Sequence, residues 1–121
     1  MVFTSNYFQK EITGMIKVRI SLTKPKNSQT DDTWLSVAPG WKDLLGPYKR
    51  GEIDDEEYTR RYMNQLERGK AKILREYRAL TEKHHGRDIV LLCWCKKGNF
   101  CHRRLLAAWL KKQGFSEIKE L

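Results

Sequence analysis

DIVLLCWC, from Asp88 to Cys95, is the stretch on which the fold turns. It is apolar almost without interruption, as expected for a central strand of a parallel sheet that is covered on both faces. A loop, KKGNF, follows it. Cys101–Gln113 then reads as a helix, apolar almost all round from Leu105 to Leu110, which packs it deeply. Gly114 ends that helix, and Phe115–Leu121 supplies a last short strand.

Upstream of the central strand, Tyr58, Tyr62 and Leu66 repeat every four residues, and Ile73, Leu74, Tyr77 and Leu80 continue the stripe beyond Gly69. Asp54, Asp55, Glu56 and Glu57 crowd the first turn, where carboxylates suit the positive end of the helix dipole. Gly69 divides the run into two helices, and His84, His85 and Gly86 close it. Earlier still, WLSVAPGW (Trp34–Trp41) leads into a short helix, Lys42–Lys49, that stops at Gly51. Lys24–Thr33 is a polar loop broken by Pro25, and Val2–Thr4 and Lys17–Leu22 are short strands. The alternation of strands and helices predicts one α/β domain over residues 1–121. Its expected form is a Rossmann-like three-layer sandwich, with a small mostly parallel sheet and helices on both faces.

Composition narrows the function classes. Hydrophobic residues at 40% and charged residues at 32% fit a folded globular chain rather than a disordered one. No apolar run approaches the ~20 residues that cross a bilayer, which predicts no membrane partner. The start, MVFTSNYFQKEITG, lacks the basic and apolar regions of a signal peptide, so a cytoplasmic location is expected. There the three cysteines, all between positions 93 and 101, are read as free thiols. The net charge of +9 favours a polyanionic partner, nucleic acid or nucleotide, although a merely well-solvated basic surface gives the same number. Nothing in the sequence speaks to oligomeric state.

Ligands of open parallel sheets sit beyond the carboxyl ends of the strands, where loops lead into helix N-termini. Ser5–Tyr7, Thr23–Lys24 and Cys95–Arg103 converge at that edge. Arg103 and Arg104 oppose the dipole at the start of their helix and need a reason to be there, either an anionic ligand or a carboxylate partner. The ligand-binding set read from this edge is Ser5, Tyr7, Lys49, Arg103 and Arg104, with the helix N-terminus as the anion site. Cys101 at the same terminus is expected to have a depressed pKa and act as a nucleophile, with His102 as acid or base near neutral pH.

The same residues have a rival use. Cys93, Cys95, Cys101 and His102 supply three sulfurs and a nitrogen, a donor set found in structural zinc sites, although C-x-C-x5-C-H matches no familiar zinc ribbon. Cys93 could also be simple core filler. A phosphatase-type loop fails, because Asn99 and Cys101 stand where an arginine is required, and there is no Walker loop or G-x-G-x-x-G. Trp34, Trp41, Tyr48 and Tyr7 could stack bases beside Lys49 and Arg50, or could equally be core. Tyr58, Tyr62 and Tyr77 read as core, His84 and His85 as exposed turn residues, and Asp31 and Asp32 as carboxylates without a catalytic partner.

FTSNYF, WLSVAPGWKDLLGPYKRGEIDDEEYTRRY and IVLLCWCKKGNFCHRRLLAAWL together resemble the bacterial, archaeal and phage family known as domain of unknown function 488, across nearly the whole chain. The most specific element is the motif C-x5-7-C-H-R after the central strand, with Gly98 and Phe100 inside it. The resemblance implies an α/β, Rossmann-like sandwich and no established activity. It also implies an acidic residue where this chain carries Cys95, a departure that separates the chain from any mechanism using that carboxylate and strengthens the zinc alternative. Three expectations result: a phosphate-binding domain for nucleotide or nucleic acid, an enzyme using Cys101 and His102 on an anionic substrate, or a zinc-binding domain. No cofactor is predicted outside the zinc alternative.

Overall fold

A strand that is apolar on both sides needs a neighbour at each edge and a layer over each face, and DIVLLC has both. In the structure, a computed structural model that describes residues 1–95 and 100–121, strand β4 (Ile89–Cys93) is buried along its whole length. It lies at the centre of a five-stranded sheet made with β1 (Val2–Asn6), β2 (Ile16–Arg19), β3 (Asp32–Thr33) and β5 (Ile118–Glu120). The order is β3-β2-β4-β1-β5, and every pairing is parallel. Of the loop KKGNF, everything before Phe100, including Gly98 and Asn99, lies outside the described residues.

The topology explains how the layers form. The connection from β1 to β2 runs one way across the sheet, whereas those from β3 to β4 and from β4 to β5 run the other way. Right-handed crossovers must then lie on opposite faces. The side chains agree. Ile89, Leu91 and Cys93 share a core with α2 (Asp55–Arg68), α3 (Lys70–Lys83) and α4 (His102–Lys112). Val90 and Leu92 point the other way, against Tyr7, Ile12 and Met15. The protein is the expected α/β three-layer sandwich, and its outer layers are unequal. The three long helices cover one face, and the connection around the 3-10 turn Lys10–Ile12 covers the other.

The long helices follow from the sequence pattern. Asp54 caps α2 by accepting from the Glu57 amide at 2.8 Å, and Tyr58, Tyr62 and Leu66 form its buried stripe. α3 begins directly after Gly69, where a Cβ would come within 3.2 Å of Ile73 Cδ1. WLSVAPGW is tied down by α2: Tyr62 donates to the Val37 carbonyl at 2.7 Å, and Gln65 bonds both the Ala38 carbonyl and the Gly40 amide. From that anchor a π-type turn, Trp41–Leu45, runs into the short helix α1 (Gly46–Lys49). A Cβ at Gly46 would sit 2.8 Å from the Trp41 carbonyl oxygen, so this tight passage requires glycine. The whole device carries Lys49 toward the strand ends.

Two readings change. Lys24–Thr33 is not loop throughout, because its end forms β3, held to β2 through the Asp31 and Trp34 amides. His84 is not an exposed turn residue: it lies 3.3 Å from the Asp32 carboxylate, which also receives Lys83 at 2.9 Å.

Candidate functional site

β4 ends at the sheet edge with Cys93, Trp94 and Cys95, and α4 begins opposite with Cys101, His102 and Arg103. Of these, Cys93, Trp94, Cys95 and His102 line a recess of about 390 Å³ together with Leu22, Thr23 and Lys49. The sulfurs of Cys93, Cys95 and Cys101 all lie within 4.8 Å of one another, and Cys93 and Cys101 are in contact at 2.7 Å. Cys93 and Cys101 are buried, and Cys95 is half-buried and lines the recess.

Three thiols this close ionise together rather than one by one. The neighbouring thiols of Cys101 and then Cys93 favour the ionised form of Cys95, which outweighs burial and holds Cys95 well below the ordinary thiol value. Cys101 is held up by its contacts with Cys93 and Cys95 and by burial, and Cys93, which its contact with Cys101 lowers, is on balance raised by Cys95 and by burial. This corrects the expectation for Cys101. The N-terminus of α4 does lie beside it, but its buried thiol is held up, and of the three it is Cys95 whose ionisation the cluster favours.

His102 is corrected as well. Burial lowers its pKa to about 4, so it is neutral throughout the physiological range rather than titrating within it. Its Nε2–H donates to the Ile20 carbonyl at 2.8 Å, which leaves Nδ1 as an acceptor 3.7 Å from the Cys101 sulfur. Cys101 thus bridges Cys95 and an imidazole whose tautomer is fixed.

Arg103 has no exposed surface. Its guanidinium grips the Glu120 carboxylate through Nε at 3.1 Å and Nη2 at 2.8 Å. Nη1 donates to the Cys93 sulfur at 3.0 Å and to the Cys95 carbonyl at 2.5 Å. Of the two reasons offered for a cation at this helix start, the structure contains the carboxylate partner. Burial opposes ionisation of Glu120, but bonds from Arg103 and Thr4 overcome it and keep its pKa below the usual value.

The remaining predicted residues separate. Lys49 is exposed and lines the recess. Tyr7 is buried and supports it from beneath, donating to Ser21 Oγ at 2.6 Å, and Ser21 in turn donates to the Thr23 carbonyl. Ser5 is fully buried, paired in register with Leu92, and its hydroxyl has no hydrogen-bond partner among the described residues. Arg104 is exposed and borders a different recess, beside Ala108 and Lys111. Trp34 is core, with its indole N–H on Glu76 at 3.1 Å, whereas Trp41 is exposed.

Two contributors were not recognisable locally. Glu120 sits 17 positions from Arg103 in the chain, and only the placement of β5 brings them together. Trp94 lies inside the apolar run, where it reads as core, yet it is 43% exposed at the edge of the recess. The step after β4 that a tryptophan and a loop both imply was its only signal.

The sulfur spacing also fits a metal ion. Zinc binds thiolate at about 2.3 Å, so its sulfur ligands must lie within about twice that of one another, and the bare Nδ1 of His102 offers a nitrogen alongside. The Ile20 carbonyl on Nε2 is the kind of outer partner that orients a ligating histidine.

An all-parallel α/β sandwich with a thiol cluster and a buried arginine at its strand ends defines the class of protein. A family model described as the active DUF488-N3 subclade (DUF488-N3a) matches residues 5–114, and the chain belongs to this DUF488 family. Comparisons with curated proteins and with solved structures returned no match.

Proposed function

We propose that the protein is a cysteine-dependent enzyme acting on a small anionic substrate, with Cys95 as the nucleophile. One observation carries this reading: of three sulfurs within 4.8 Å of each other, two belong to residues that line the recess, Cys93 and Cys95, and the less buried of these, Cys95, is the one its neighbours favour as thiolate. Cys93 and Cys101 stabilise that charge by hydrogen bonding, and the Arg103 guanidinium at Cys93 adds a cation behind them. Lys49, across the recess, supplies the positive charge for an anion, the role that the helix start had seemed to offer through Arg103. A phosphate carried by a nucleotide or by nucleic acid is compatible with this arrangement.

Iodoacetamide at pH 6, followed by peptide mass spectrometry, tests the reading. Cys95 is expected to alkylate well ahead of Cys93 and Cys101, and Cys95→Ser is expected to abolish the fast phase. Slow and equal modification of all three thiols would overturn it. The sulfur geometry favours a second reading, zinc held by Cys93, Cys95 and Cys101; His102, the fourth residue of the predicted donor set, is not in that cluster and meets it only at Cys101. Elemental analysis of protein purified without chelator separates the two, since zinc predicts about one metal per chain and thiols protected until it is removed.

A further inference from the structure

The recess has a second wall that the nucleophile does not explain. Trp94 is 43% exposed, yet its ring is pinned. Its Nε1–H donates to both the carbonyl and the hydroxyl of Thr23, at 3.0 and 3.1 Å. Tyr7 meets it edge-on at 6.0 Å between ring centres, and Tyr7 is itself fixed through Ser21. Phe8, 61% exposed, lies tilted against it at 6.3 Å. Arg19 holds the strand turn that carries this wall by donating to the Ser21 and Leu22 carbonyls.

An exposed indole is costly, and one whose N–H is already satisfied has only its apolar π-surface left to offer. An immobilised ring also loses little entropy when a ligand stacks on it. The recess thus offers a fixed aromatic platform, the Cys95 sulfur and the Lys49 ammonium on residues that line one space. At about 390 Å³ it falls in the size range of small-molecule sites.

We infer that the substrate is a nucleotide unit, a planar base carrying a phosphate, with the base stacked on Trp94 and the phosphate held by Lys49. This rests on the proposed thiolate site for its chemistry but not for its binding. The base selects the ligand by its π-face, and the pinned N–H takes no part in reading it. The phosphate is favoured by the ammonium and kept off the Cys95 thiolate by like charge.

Isothermal calorimetry on the wild-type protein tests binding without reference to the thiol. The probes are uridine and adenosine 5′-monophosphates, ribose 5-phosphate, and a short single-stranded oligonucleotide. The monophosphates are expected to bind at least roughly tenfold more tightly than ribose 5-phosphate, which has the anion without the base. Trp94→Ala is expected to erase that difference and Trp94→Phe to keep most of it, so that a variant that misfolds does not decide the outcome. Lys49→Ala is expected to weaken nucleotide and ribose phosphate alike. An oligonucleotide that binds more tightly than the monomers assigns the base to a strand, and equal binding assigns it to the free nucleotide. Equal affinity for nucleotide and ribose 5-phosphate, or an unchanged preference in Trp94→Ala, overturns the inference. Fast alkylation of Cys95 with no nucleotide preference would sink this inference alone, whereas nucleotide binding with an inert Cys95 would sink the enzyme reading and leave this one standing.

Discussion

Two recesses among the described residues, one along α2 and one at the strand ends, are built in opposite ways. The one along α2, about 540 Å³, is bordered by Arg60, Arg61, Asn64 and Arg68. Arg60 and Arg61 share the Glu57 carboxylate at 2.6 and 2.7 Å, all in contact with water. The one at the strand ends has its arginine out of water, its histidine neutral and its thiols bonded to one another. The larger recess is bordered by more formal charge and the smaller one by thiols. Charges in water are screened and exchange partners at little cost, so they report on solubility and long-range attraction. Groups withdrawn from water are held in one protonation state and one geometry, which is what a reaction needs.

Replacing one arginine in each region, the buried Arg103 behind the thiols and the exposed Arg68 of α2, tests the contrast most directly. Arg103→Met leaves Glu120 and the Cys93 sulfur without their cation, and a loss of about 3 kcal/mol in urea unfolding is expected. Arg68→Ala, on the exposed side of α2, should change the same measurement by no more than about 0.5 kcal/mol. Similar losses from the two would mean that the thiol recess is no more tightly built than the surface.

Acid separates the regions next. The pKa of His102 is about 4 when folded against an ordinary value of 6.5, so the unfolded chain takes up the proton first. Stability is therefore full above about pH 6.5, falls as the pH drops below it, and has lost on the order of 3 kcal/mol by pH 4. Urea midpoints measured between pH 7 and pH 4 should show this slope, and His102→Gln should flatten it. The Glu57 cluster works in a lower window. Hydrogen bonds from Arg60 and then Arg61 hold Glu57 down from 4.5 to about 2, so its contribution is complete above about pH 4.5 and is lost progressively as the pH falls toward 2. The smallest effect expected is that of Glu57→Gln at pH 7 in 0.5 M salt, where the unfolding midpoint should stay within error of wild type.

Much of the fold was legible because it depends on neighbours in sequence. The unbroken run of β4, the four-residue repeat of α2 and the acidic start after Asp54 all act within a few residues. β3 was not legible: a two-residue strand has no periodicity, and it exists because Asp31 and Trp34 find amide and carbonyl partners on β2. The site follows the same division. That Cys101, His102 and Arg103 belong together was clear from their adjacency. Which of the three thiols is ionised, and what neutralises Arg103, depended on Cys95 meeting its neighbours across the recess and on Glu120 arriving from β5. Residues far apart in the chain set those electrostatics, and no local pattern encodes them.

Glu120 ties the thiol cluster to the rim of the sheet. It lies on β5, an edge strand that joins the sheet beside β1. Its carboxylate holds one side of the Arg103 guanidinium, while Nη1 on the other side bonds the Cys93 sulfur and the Cys95 carbonyl. A single planar cation thus links the edge of the sheet to the end of its central strand, and a change at β5 reaches the sulfurs through it.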